Sequence, residues 1–107
     1  MRATASRKIM HEITKSMLSL IPRRSVIDET RCFLIEANED DGSITVTANN
    51  MESAMQWRFA ASIEAGGRFV MDARMLADIL AHLEGEAVEF AAIARTVDIT
   101  GGTCTYT

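Results

Sequence analysis

The stretch GRFVMDARMLADILAHL, Gly67–Leu83, decides how the rest of the chain reads. Arg68–Met71 is a short strand, and from Asp72 onward the apolar spacing changes to that of a helix. Leu76, Ile79, Leu80 and Leu83 recur on one helical face, Asp72 is placed to cap the first turn, and Gly85 stands where a helix ends. The opposite face shows Arg74, Asp78 and His82.

Upstream of this stretch the texture is β. Arg31–Ala37 is an apolar run, Asp40-Asp41-Gly42 is a turn signal, and Ile44, Val46 and Ala48 alternate with polar residues. Met55, Trp57, Phe59, Ala61 and Ile63 form a second alternating set, read as one strand that Gly66-Gly67 ends. Further upstream, residues 2–5 suit a short strand and Ser6 suits the N-cap of a helix running to Leu20 or Ile21, where Pro22 stops it. That helix places Ile9, Met10, Ile13, Met17, Leu20 and Ile21 on one side, with Lys8, His11, Glu12, Lys15 and Ser19 opposite. Downstream, Val88 with Phe90, Val97 with Ile99, and Cys104 with Tyr106 mark three closing strands, and Gly101-Gly102 makes the last turn. The order β-α-β-β-β-β-α-β-β-β predicts an α+β fold with two helices packed on antiparallel β-sheet. No internal repeat and no linker is visible, so residues 1–107 read as a single domain.

Hydrophobic residues make up 48% of the 107 positions and charged residues 24%, which places the chain among soluble globular domains and away from disordered ones. No apolar run reaches the roughly 18 residues of a membrane span, and the first residues lack the order of a signal peptide, so the expected location is the cytoplasm, with no membrane partner. Cys32 and Cys104 lack the spacing of a zinc site or of a disulfide framework and read as reduced packing residues.

The net charge of −4 hides an asymmetry. Residues 1–24 hold Arg2, Arg7, Lys8, Lys15, Arg23 and Arg24 against the single acid Glu12, giving +5, while the remainder carries −9. A basic strip on an acidic body attracts phosphate locally and repels it elsewhere. Paired arginines in a loop, as at Arg23-Arg24, suit backbone phosphates, and without interleaved aromatics any such contact would be blind to sequence.

Chemistry is thinly represented. His11 and His82 fall on solvent faces of different helices, Glu39-Asp40-Asp41 lacks the oxygen spacing of a calcium loop, and neither glycine pair has the setting of a phosphate loop. Met10, Met17 and Met75 fall on or beside core stripes. The expectation is no catalytic residue, no metal and no cofactor. A hydrolase or transferase using His11 or His82 with Cys32 or Cys104 is the remote alternative.

Several strings resemble a known family, the bacterial sliding clamp, or β subunit of DNA polymerase III, and specifically its N-terminal domain. Gly67–Leu83 is similar to that family's GxxxVPARKLLDILRKLP and is the most specific match; Ser43–Glu52 resembles its LTLTATDLE strand, and Gly101–Tyr106 its SGRSRF ending. The resemblance implies a non-catalytic processivity factor: three domains per subunit, two subunits closing a ring on duplex DNA, and inward helices touching phosphates. It also implies DNA polymerase III and a clamp loader as partners of the full-length subunit, and a peptide-binding cleft toward the C-terminal domain, outside this chain. Arg24 matches the family's DNA-contacting loop arginine and Arg74 the arginine opening its second inner helix; Arg23, Lys15, Lys8 and His11 join them from the helix-face reading. Residues 24–30 depart from the family's loop by bringing in Asp28 and Glu29, Ala81 stands where a base is usual, and Thr103 and Thr105 replace arginines. These changes imply a diverged clamp with weakened phosphate contacts. The alternative is a stand-alone clamp-fold domain that has lost DNA and associates through an exposed sheet edge.

Overall fold

Two strand-to-helix units, each started by its own capping side chain, organise the chain. The computed structural model describes residues 1–18, 32–49, 54–83, 85–93, 96–101 and 104–106. The elements are β1 (Arg2–Ser6), α1 (Arg7–Met17), β2 (Cys32–Asn38), β3 (Ser43–Asn49), β4 (Ala54–Ala60), β5 (Ser62–Ala65), β6 (Gly67–Asp72), α2 (Ala73–His82), β7 (Ala87–Ile93), β8 (Thr96–Gly101) and β9 (Cys104–Tyr106). They form a five-stranded sheet, β5-β1-β7-β8-β9, and a four-stranded sheet, β4-β3-β2-β6, antiparallel throughout.

Both helices begin the same way. The Ser6 hydroxyl accepts from the Ile9 N–H at 3.3 Å, and the Asp72 carboxylate accepts from the Met75 N–H at 3.0 Å, so each cap satisfies an amide three residues on. The end of α2 also follows the sequence expectation, with Leu83 donating its N–H to Ile79 O and Gly85 at φ 89, a conformation that side chains other than glycine resist. The end expected for α1 at Leu20 or Ile21 lies outside the described residues.

Strand pairing reveals a duplication that the sequence conceals. β1 leads into α1 and pairs with the β7-β8-β9 meander, while β6 leads into α2 and pairs with the β2-β3-β4 meander. The registers superimpose residue for residue. Phe33 lies opposite Met71 as Val88 lies opposite Ala5; Ile44 faces Ala37 as Val97 faces Ala92; Trp57 faces Val46 as Tyr106 faces Ile99. Ser6 therefore corresponds to Asp72, Lys8 to Arg74, and Phe33 to Val88. No repeat is legible because each station needs only an apolar side chain of workable size, and because the connection from Met17 to Cys32 is much longer than that from His82 to Ala87.

The core is one cluster gathered between the helices and both sheets. Met10, Met17, Phe33, Ile35, Leu76, Leu80, Val88 and Phe90 have no exposed surface, and Phe69 tilts against Phe90 with ring centroids 5.9 Å apart. Thr14 is buried among them, and its hydroxyl donates to Met10 O at 2.9 Å and His11 O at 3.2 Å, so the polar atom is satisfied inside its own helix.

Three sequence expectations need correction. The alternating run Met55–Ile63 is two strands in different sheets, because the chain turns at Ala61, whose N–H donates to Gly42 O at 2.9 Å. The element order thus gains a strand. Ile9, assigned to the buried stripe, is 43% exposed, since it lies at the margin of the α1 face and Thr14 fills the interior instead. Met75, placed beside the α2 stripe, is likewise open to solvent.

Candidate functional site

Helix α1 presents Lys8, His11 and Lys15 at three- and four-residue intervals, which brings them onto one face. Lys8 and Lys15 are exposed and His11 is half-buried. Arg74 is exposed at the start of α2, two residues after its cap, the same station that Lys8 holds after Ser6. Arg23 and Arg24 lie outside the described residues.

Neither helix has an acid in its first turn. The partial positive charge of a helix start ordinarily favours acids there. At the start of α1 the cation Lys8 is added to it behind a neutral cap, whereas at the start of α2 the Asp72 carboxylate stands two residues before Arg74 and offsets it. The start of α1 is tied to the end of α2, because the Arg7 guanidinium donates from Nε to Gly85 O at 2.7 Å and from Nη1 to Leu80 O at 3.3 Å. Since α2 is about 15 Å long by its 1.5 Å rise per residue, Lys8 and Arg74 stand toward opposite ends of the helix pair.

Charge is sorted by layer. In the described residues, α1 and α2 carry four bases against two acids, whereas the strands and their connections carry three bases against nine acids. Two of those three bases are engaged. Arg58 pairs with Asp41 and donates from Nε to Ser43 Oγ at 3.2 Å, and Ser43 in turn donates to Asp41 at 2.6 Å. Arg2 donates to Glu89 at 3.1 Å, and Glu64 lies 3.7 Å away. The hydrogen bond and charge of Glu89, then the charge of Glu64, hold the Arg2 guanidinium above its ordinary value. A base raised in the folded state adds stability below its unfolded value and loses that contribution only as pH climbs through the folded one, so Arg2 stays a cation at every ordinary pH.

The remaining chemistry-bearing groups are dispersed. His82 is exposed, with Nδ1 2.7 Å from Asp78 O one turn back in its own helix, and Cys32 is half-buried at the start of β2. Among the described residues, no three His, Cys, Asp or Glu side chains converge on a point that could hold a metal ion. No described helix is long and apolar enough to cross a membrane.

Sequence reasoning grouped Arg7 with the basic strip, whereas the structure spends it on α2. It reached Lys8 and Arg74 by separate routes and missed that they are equivalent. The signal that could have joined them is their common distance from a capping residue, Ser6 and Asp72.

The sequence of residues 1–104 matches the family described as DNA polymerase III beta subunit, N-terminal domain. No curated protein matches the chain. Among solved structures it is similar to the DNA polymerase sliding clamp of Bacillus subtilis, with TM-score 0.92 and 20% identity over 99% of this chain and 30% of that one. Similar too are the pol III beta of Caulobacter crescentus, with TM-score 0.90 and 19% identity over 99% and 28%, and a sliding clamp of Bartonella birtlesii bound to griselimycin, with TM-score 0.90 and 21% identity over 99% and 28%. The chain spans less than a third of the length of each.

Proposed function

Because the chain belongs to the family of the DNA polymerase III beta subunit, N-terminal domain, we propose that it serves as one clamp domain of a ring that encircles duplex DNA and tethers a replicative polymerase. The work is mechanical. The domain needs no reacting group for this, because it raises processivity by keeping the enzyme on its template. Its partners in a full-length subunit are further clamp domains, DNA polymerase III and a clamp loader, and its setting is the cytoplasm.

The observation that carries this reading is the sorting of charge between helices and sheets. A ring that slides needs attraction to phosphate on its inner wall, without readout of bases, and repulsion outside it. Lys8, His11 and Lys15 on α1 and Arg74 on α2 supply the attraction, as point charges and hydrogen-bond donors to the DNA backbone. Arg23 and Arg24 belong to the same proposed surface. The acidic strands keep the outer face off nucleic acid.

The test is fluorescence anisotropy with a duplex of arbitrary sequence, titrated at several low salt concentrations. One domain cannot close a ring, so the isolated chain binds weakly and lets go as salt rises. The double variant Lys8→Ala, Arg74→Ala should lose most of that binding. Equal binding by parent and variant would remove the helix face from the proposal.

A further inference from the structure

The two halves of the duplication differ at one place. In the five-stranded sheet, β1 carries β5 on the edge away from β7, whereas its counterpart β6 has β2 on one side and no described strand on the other. Among the described residues, no strand of the four-stranded sheet answers to β5.

The effect of β5 is visible in burial. In the first half Ala3, Ala5, Ile13, Ala37 and Ile44 are all buried, and Ile63 of β5 packs against the core. Their counterparts by register are Phe69, Met71, Ile79, Ala92 and Val97, of which only Ile79 is buried. Val70 beside them is 62% exposed, and Met75 is open to solvent as its counterpart Ile9 is in the other half. Together these residues line an open groove of about 560 Å³ between β6, α2 and β8. β5 also reaches across to β2 in the first half, and Ala92 of β7, the strand that corresponds to β2, lines the groove in the second.

Charge repeats the pattern. Arg2 lies 3.7 Å from Glu64 of the docked strand. Its counterpart Arg68 is exposed on the groove wall, and among the described residues no acid lines the groove and none pairs with Arg68.

We infer that the β6 edge is a strand acceptor for an extended segment of a partner protein, running antiparallel to β6 and carrying a branched apolar residue followed by an acid. The template is Ile63-Glu64: the apolar side chain enters the groove over Phe69, the acid meets Arg68, and main-chain hydrogen bonds complete the sheet. The site lies on a sheet edge and uses none of the residues assigned to phosphate, so it stands or falls independently of DNA binding.

The experiment uses the isotope-labelled chain and a blocked peptide copying residues 60–66. The peptide should shift the amide resonances of Arg68–Met71 and Val97 and leave DNA affinity unchanged. A peptide with lysine in place of its glutamate should bind about two- to fivefold more weakly, the range of an exposed ion pair, and regain binding to Arg68→Glu. A short free peptide is disfavoured by its own ordering entropy, so a second chain carries Ser-Ile-Glu-Ala-Gly directly ahead of Met1, as β5 and Gly66 lead into β6, which raises the effective concentration. Slowed amide exchange in β6 of this chain supports the acceptor edge, with or without binding of the free peptide. Three results would overturn it: peptide shifts confined to Arg2–Ala5, which mean exchange with β5; concentration-dependent shifts of β6 without peptide, which mean a second copy covers the edge; or no peptide shifts together with unchanged β6 exchange in the tethered chain.

Discussion

The Arg7 guanidinium clasps the far end of the other helix, donating to Gly85 O at 2.7 Å and to Leu80 O at 3.3 Å, while the Arg7 backbone N–H donates to Glu86 O at 2.9 Å. Carbonyls at a helix C-terminus carry partial negative charge, and a cation placed there is favourable twice over. One base of the N-terminal strip is thus structural, next to Lys8, which is open to solvent. Arg7→Met should lower the unfolding free energy by about 1–2 kcal/mol in urea titrations and leave the salt dependence of DNA binding unchanged.

Ser6 and Asp72 make the same contact at equivalent stations, so their loss should cost alike. Ser6→Ala and Asp72→Ala should each destabilise by about 1 kcal/mol, read from urea midpoints with unchanged slopes. A neutral result at either position would break the equivalence of the two helix starts.

Ile35 and Phe90 occupy matching positions in β2 and β7 and are fully buried, whereas Ile9 is 43% exposed despite its place in the apolar pattern. Ile35→Ala and Phe90→Ala should each cost about 3–5 kcal/mol. Ile9→Ala should stay within about 0.5 kcal/mol. Equal costs at all three sites would mean that Ile9 is packed inside.

Phosphate contacts announce themselves in the salt dependence of binding. Lys8→Ala, Lys15→Ala and Arg74→Ala should each weaken binding on every duplex alike and flatten the plot of log affinity against log salt by about one unit. A variant that loses affinity with the slope unchanged would point to a contact of another kind.

Much of the fold is legible in the sequence, for reasons that particular residues show. Asp72 and Gly85 bracket α2 because capping and termination are local acts that need no knowledge of the rest of the chain. The turn after Asn38 is equally local, with Asp40 N–H donating to the Asn38 side chain at 2.9 Å. Which sheet a strand joins is not local. The run through Phe59, Ala61 and Ile63 keeps its alternation while passing from one sheet to the other, so periodicity alone merges two strands. The candidate site shows the same division. Helical spacing groups Lys8, His11 and Lys15, whereas nothing near Arg7 in the chain indicates that Gly85 will claim its side chain.

The pairing of each opening strand with the other half's meander bears on how the chain is made. Arg2 finds its cross-strand neighbour at Ala91, and Phe33 at Met71, so neither β1 nor β2 can finish its sheet with residues already synthesised when it emerges. The segment from Ser62 to Asp72 is laced into both sheets at once, and at its bend the Met1 side chain packs so closely on Gly67 that an added Cβ there would lie 3.0 Å from Met1 Cβ. Completion waits for β7, and the separation of partners along the chain makes that closure slow. A nascent chain halted before Ala87 would hold all four strands of the β4-β3-β2-β6 sheet yet leave the β7-facing edge of β1 unpaired, and the finished domain forms as an interlocked whole that cannot be inherited one half at a time.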